Sequence, residues 1–137
     1  MISALTNRGQ LAFSVFEGSF VIAVFLAFLQ RLIKHAKGRK VFLIVDGHPV
    51  HRAKTVKEWL TTKAPLIELF YLPGYSPERN PDELLNQELK ATVYATGRPT
   101  SKNDLKRKLK AKLYSIQKQP DKISAYFQKH SVRYAAG

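Results

Sequence analysis

Lys40-Val41-Phe42-Leu43-Ile44-Val45-Asp46-Gly47, residues 40–47, is a short apolar run that stops abruptly at a carboxylate. It is rich in β-branched residues and shows no polar alternation, which predicts a strand covered on both faces, as in a parallel or mixed sheet. Ile67 to Leu72 reads as a second strand, closed by Pro73-Gly74. Between the two, His51 to Lys63 carries Val56, Trp59 and Leu60 at helical spacing, and Pro65 ends that helix. Strand, helix, strand in this order predicts an α/β architecture.

Upstream, Ile2 to Thr6 and Leu11 to Phe16 flank Asn7-Arg8-Gly9-Gln10, a link suited to an antiparallel hairpin. Gly18-Ser19 breaks the second strand and offers Ser19 as an N-cap. A helix with most faces covered is expected from there to Ile33, with Gly38 as its stop. Downstream come a Pro-rich loop from Gly74 to Asn80, a helix from Pro81 to about Ala95, a Gly97-Arg98-Pro99 break and two more helices. Leu105, Leu109, Leu113 and Ile116 line one face of the first of these. With no repeat, low-complexity tract or linker, the reading is one domain over 1–137, with α/β elements to residue 100 and a basic helical tail over 101–137.

The 23 Lys and Arg against 10 Asp and Glu leave a formal charge of +13. So strong a positive field on a small surface makes polyanions the expected partners, nucleic acid first and an anionic membrane surface second. The absence of cysteine excludes disulfide frameworks and thiolate metal sites, and a cytoplasmic protein is expected. The apolar run from Phe20 to Leu29 falls short of the roughly 20 residues a spanning helix needs. A charged helical continuation follows it, unlike the end of a signal peptide.

Asp46 sits where open α/β sheets bind ligands, at the carboxyl end of a strand. Asp-Gly is also a common turn dipeptide, so the position reads equally as a turn or as a site. His48 and His51 invite a zinc reading with Asp46. Pro49 and the lack of helical register before His51 favour loop or cap roles instead, and His35 and His130 carry no supporting context. Asn80-Pro81-Asp82-Glu83 has the pattern of a helix start, with Asn80 as cap, Pro81 at the first position and Glu83 placed as in a capping box. Two carboxylates that each follow a strand can, with further oxygen ligands, hold divalent metals that position an attacking hydroxyl.

Val41 to His51, VFLIVDGHPVH, and Tyr71 to Lys90, YLPGYSPERNPDELLNQELK, resemble the second and third catalytic motifs of mariner-like insertion-sequence transposases of the DDE superfamily. Tyr75, Ser76, Pro77, Asn80, Pro81, Glu83, Leu85, Leu89 and Lys90 match that pattern position for position, whereas Asn86 stands where the family often has Trp. The resemblance implies a ribonuclease-H-like mixed sheet flanked by helices, a two-metal Mg²⁺ or Mn²⁺ centre, and DNA cleavage and strand transfer. Asp46 and Glu83 are the implied catalytic metal ligands, with Asp82 the runner-up to Glu83. The family's first Asp lies on a strand before the hairpin. No acidic residue precedes Glu17 in this sequence, so the expectation is an N-terminally truncated domain lacking its central strand.

Lys106, Arg107, Lys108 and Lys110 read as phosphate contacts, joined by Arg52, Lys54 and Lys57 just after Asp46. A solvated helix face is the plain alternative. No helix-turn-helix or zinc-finger spacing appears, so no sequence-specific reader is expected here. Two classes remain: an enzyme component acting on transposon ends and target DNA, as a homodimer or with an upstream transposase fragment, and an inactive remnant that binds only DNA or transposase.

Overall fold

The computed structural model describes residues 1–72, 80–95, 97–128 and 135. The described chain forms two compact units, one of residues 1–16 with 78–137 and one of residues 17–77. The Pro-rich loop predicted over Gly74 to Asn80 lies almost wholly outside the described residues, as do Tyr75, Ser76 and Pro77 of the motif and His130.

The unit of residues 17–77 contains helix α1 (Ile22–His35), strand β3 (Val41–Val45), a one-turn 3-10 helix (Pro49–Arg52), helix α2 (Lys54–Thr62) and strand β4 (Ile67–Tyr71). β3 and β4 pair in parallel with Val41 opposite Ile67 and Val45 opposite Tyr71. Parallel neighbours need a crossover, which α2 supplies. The predicted helix from His51 to Lys63 is therefore split at Ala53, whose extended backbone caps α2.

Two expectations for this unit are corrected. β3 is covered on one face only: Phe42 is 63% and Ile44 40% exposed, while Val45 is buried. The alternation comes from the pleat, which sends Phe42 and Ile44 to the same side of the strand. α1 has most faces covered, as expected, with Phe25, Phe28 and Leu29 buried and the small Ala23 and Ala27 exposed. Its cap is Val21, without a side-chain hydrogen bond, so Ser19 stands too far upstream to serve. The helix ends as expected, with Lys37 and Gly38 at positive φ.

The other unit contains the hairpin of β1 (Ile2–Leu5) and β2 (Leu11–Ser14), with α3 (Pro81–Ala95), α4 (Lys102–Gln117) and α5 (Pro120–Tyr126). The strands pair antiparallel from Ile2 opposite Ser14 to Leu5 opposite Leu11. The link turns through a Gly9 to Thr6 backbone bond, with Gly9 at φ 92° against Pro120. Leu11 and Phe13 on β2, Leu85 and Leu89 on α3, Leu113 and Ile116 on α4 and Ile123 on α5 form one buried cluster. The helical face predicted for α4 is this one, with Leu109 packed at its margin. Gln117 donates to the Leu11 carbonyl at 2.8 Å and Ser124 to the Asn7 carbonyl at 3.2 Å, fastening both helices to the hairpin. The fold is α/β, but the described strands form two separate pairs rather than one mixed sheet.

Candidate active site

Asp46 follows the last residue of β3, and its carboxylate is held on one side. Oδ1 accepts the His48 backbone N–H at 2.9 Å and lies 3.0 Å from His51 Nδ1. Neither contact uses Oδ2, and the side chain is 39% exposed. The turn reading is met, since Asp46 closes an Asx-type turn through one oxygen, and the other oxygen takes no part in it.

His48 caps the 3-10 turn, its Nδ1 accepting the Val50 N–H at 3.1 Å. His51 is largely buried, with Phe25 4.7 Å, Phe20 5.7 Å and His48 5.7 Å away between ring centroids. Its Nδ1 also lies 3.2 Å from the Asp46 carbonyl oxygen. Burial lowers the His51 pKa; the Asp46 carbonyl and carboxylate oppose that shift, and His48 adds to it. Tyr71, the last residue of β4, donates to the His51 carbonyl at 2.9 Å, and the Arg52 guanidinium lies over the Tyr71 ring at 4.4 Å. Lys54 and Lys57 are exposed on α2, with Lys54 paired to Glu58 at 3.9 Å.

In the other unit Asn80 caps α3 by accepting the Asp82 N–H at 3.0 Å, and the Glu83 N–H bonds the Asn80 carbonyl at 3.0 Å. The two adjacent acids then differ. Asp82 accepts the hydroxyl hydrogen of Ser3 on β1, whereas the half-buried Glu83 carboxylate has no hydrogen-bond or ion-pair partner among the described residues. The helix start therefore does not need Glu83 as a capping group.

Among the described residues no three of His, Cys, Asp and Glu cluster as a metal site. Among the described residues, Asp46 Oδ2 and the Glu83 carboxylate each lack a hydrogen-bond or ion-pair partner, and carboxylate oxygens are the donors a hard divalent cation takes. Ligating carboxylates are commonly held by further hydrogen bonds, and Asp46 Oδ1 is held in this way. His48 Nδ1 is taken by the Val50 N–H, and His51 Nδ1 lies against the Asp46 carbonyl and carboxylate.

The basic residues of α4 are not equivalent. Asp104 bonds Arg107 at 2.7 Å and lies 3.5 Å from Lys108, while Ser101 caps the helix through the Asp104 N–H. Lys106, Lys108 and Lys110 are half-buried, whereas Arg107 is exposed. Arg107, Lys110, Tyr114 and Lys118 recur at helical spacing on one side, and Tyr114 is 55% exposed. Tyr114 and Lys118 lie outside the set of residues read from the sequence as phosphate contacts. The bond between Ser3 and Asp82 had no sequence signal.

Among the described residues no helix is long and apolar enough to cross a membrane. A protein-family model described as DDE superfamily endonuclease matches residues 1–106, a span that includes both Asp46 and Glu83. No curated protein and no solved structure matches the chain.

Proposed function

Because this chain belongs to the DDE superfamily endonucleases, we propose that it is part of a transposase catalytic domain of the mariner-like insertion-sequence class, in which Asp46 and Glu83 are metal ligands acting on DNA phosphodiesters. The observation that carries the reading is the Asp46 carboxylate, fixed through Oδ1 by two donors with Oδ2 left for a ligand. Glu83, with no protein partner among the described residues, supplies the second carboxylate. Asp82 is the poorer candidate because Ser3 already occupies it.

A bound divalent cation of this class supplies Lewis-acid activation of an attacking water or 3′ hydroxyl and neutralises charge on the phosphodiester oxygens. The chain's own residues hold the carboxylates in place and bring the DNA. The turn after β3 keeps Asp46 fixed, and Arg52, Lys54 and Lys57 follow it as cations for the flanking phosphates. Arg107, with Lys106, Lys108 and Lys110 beside it, supplies sequence-independent backbone contacts from α4.

Mn²⁺ should raise the melting temperature of the chain by binding only the native state. Asp46→Asn and Glu83→Gln should each abolish that rise while sparing the metal-free fold, and His48→Ala should leave it. Loss with His48→Ala and retention with Glu83→Gln would replace this site with a histidine-carboxylate one.

A second reading rests on one sequence observation: residues 1–16 contain no Asp or Glu to match the family's first acid. If no other segment supplies that ligand, the chain binds DNA or transposase without cutting. The purified 137-residue chain should then show no Mg²⁺-dependent nicking of supercoiled DNA. Nicking that disappears in Asp46→Asn would discard this second reading.

A further inference from the structure

We infer that His51 is a positioning residue for Asp46: its imidazole carries a hydrogen on Nδ1, which fixes the carboxylate so that Oδ2 faces the ligand. The inference rests on the proposed role of Asp46 and gives His51 a role that the sequence reading, which weighed zinc ligation against loop or cap roles, did not include.

The tautomer follows from what surrounds Nδ1. Two oxygens of Asp46 lie within hydrogen-bonding distance of it, Oδ1 at 3.0 Å and the backbone carbonyl at 3.2 Å. An ionised carboxylate and a peptide carbonyl only accept, so both contacts are favourable only when Nδ1 carries a hydrogen. Nε2 has no hydrogen-bond partner among the described residues.

The ring cannot readily leave this position. Phe20 and Phe25 pack against it from the α1 side and His48 from the 3-10 turn. Tyr71 holds the His51 backbone by a 2.9 Å bond to its carbonyl, tying the turn to the end of β4. His51 therefore grips one residue at two points, carboxylate and carbonyl, and fixes both the side-chain rotamer and the peptide plane of Asp46. Without it, Oδ1 keeps only the His48 N–H, and the carboxylate can rotate about a single remaining bond. Partners of this kind behind a ligating group typically change metal affinity by about 10–100-fold when removed.

The test uses the full chain, with Mn²⁺ as the probe. Long-range proton–nitrogen NMR of ¹⁵N-histidine-labelled wild type reads the tautomer without any substitution, and Nδ1–H at His51 is expected. Mn²⁺ affinity, read from water-proton relaxation, is then compared across His51→Asn, His51→Gln and His51→Phe. The asparagine amide places its N–H near the position of Nδ1, whereas glutamine places it near Nε2 and phenylalanine keeps only the packing. Asparagine should stay within about threefold of wild type, while glutamine and phenylalanine should weaken Mn²⁺ binding by roughly tenfold or more.

An Nε2–H tautomer in the wild type overturns the inference. So does a phenylalanine variant that binds Mn²⁺ like wild type while Asp46→Asn still abolishes binding. If Asp46→Asn itself leaves Mn²⁺ affinity unchanged, the metal role of Asp46 fails and the positioning role falls with it, an outcome distinct from the other two.

Discussion

Gly9→Ala tests whether the hairpin link is packed on α5 as described. Gly9 has φ 92°, and a Cβ there would sit 2.4 Å from the Pro120 carbonyl oxygen and 2.7 Å from Pro120 Cβ. The left-handed backbone alone costs an alanine about 1–2 kcal/mol. The contact adds about 1–3 kcal/mol, because the atoms in the way are backbone and a rigid ring that cannot swing aside. The reduced entropy of the unfolded alanine chain offsets roughly 0.4–1 kcal/mol. The expected net loss is about 2–4 kcal/mol.

Gly18 provides the control, since it has φ 80° and nothing within 4 Å of a built Cβ. Gly18→Ala should therefore cost only the backbone part, about 1 kcal/mol after the same offset. Urea denaturation followed by circular dichroism measures both variants, and amide exchange in α4 and α5 assigns the Gly9 loss to the hairpin unit. A Gly9→Ala protein no less stable than Gly18→Ala would refute the packing of the link on Pro120.

Leu85→Ala removes a fully buried side chain from the shared core and should cost about 2–5 kcal/mol in urea denaturation, with α3 losing amide protection first. DNA affinity should fall steeply with salt, and replacing Lys106, Arg107, Lys108 and Lys110 together with Gln should flatten the log–log slope by roughly two to four units. An unchanged slope would move the DNA face off α4. The Asp104 carboxyl is held down to about 2, chiefly by the Thr100 N–H and then by Arg107. Its folded value lies below its unfolded one, so its contribution is present above about pH 4 and is lost as pH falls toward 2. Helical circular dichroism of wild type against Asp104→Asn over that range reads it, and identical profiles would count against the cap.

Much of the local structure was legible in the sequence. The boundaries of α3, β3 and β4 and the inward face of α4 followed from Pro81, Asp46-Gly47, Pro73-Gly74 and the leucine spacing. The covering of β3 was misread because an unbroken apolar run reports what a strand could bury, whereas exposure depends on which elements lie over it. Ser19 was misread as a cap because the sequence showed where β2 ends and not that α1 begins at Ile22. Asp46 and Glu83 stood out through strand ends and motif spacing. The double grip of His51 on Asp46 did not, because it depends on the one-turn helix after Pro49 bringing residue 51 back over residue 46.

The central claim is that the Asp46 and Glu83 carboxylates are metal ligands. Paramagnetic broadening by substoichiometric Mn²⁺ tests it directly in backbone-assigned NMR spectra. The account predicts that amide signals of residues 46–48 and of residues 82–83 broaden, that Asp46→Asn removes the broadening at the first segment, and that Glu83→Gln removes it at the second. Broadening that never appears beside Asp46 and Glu83, or that survives both substitutions, would contradict the metal role of these carboxylates.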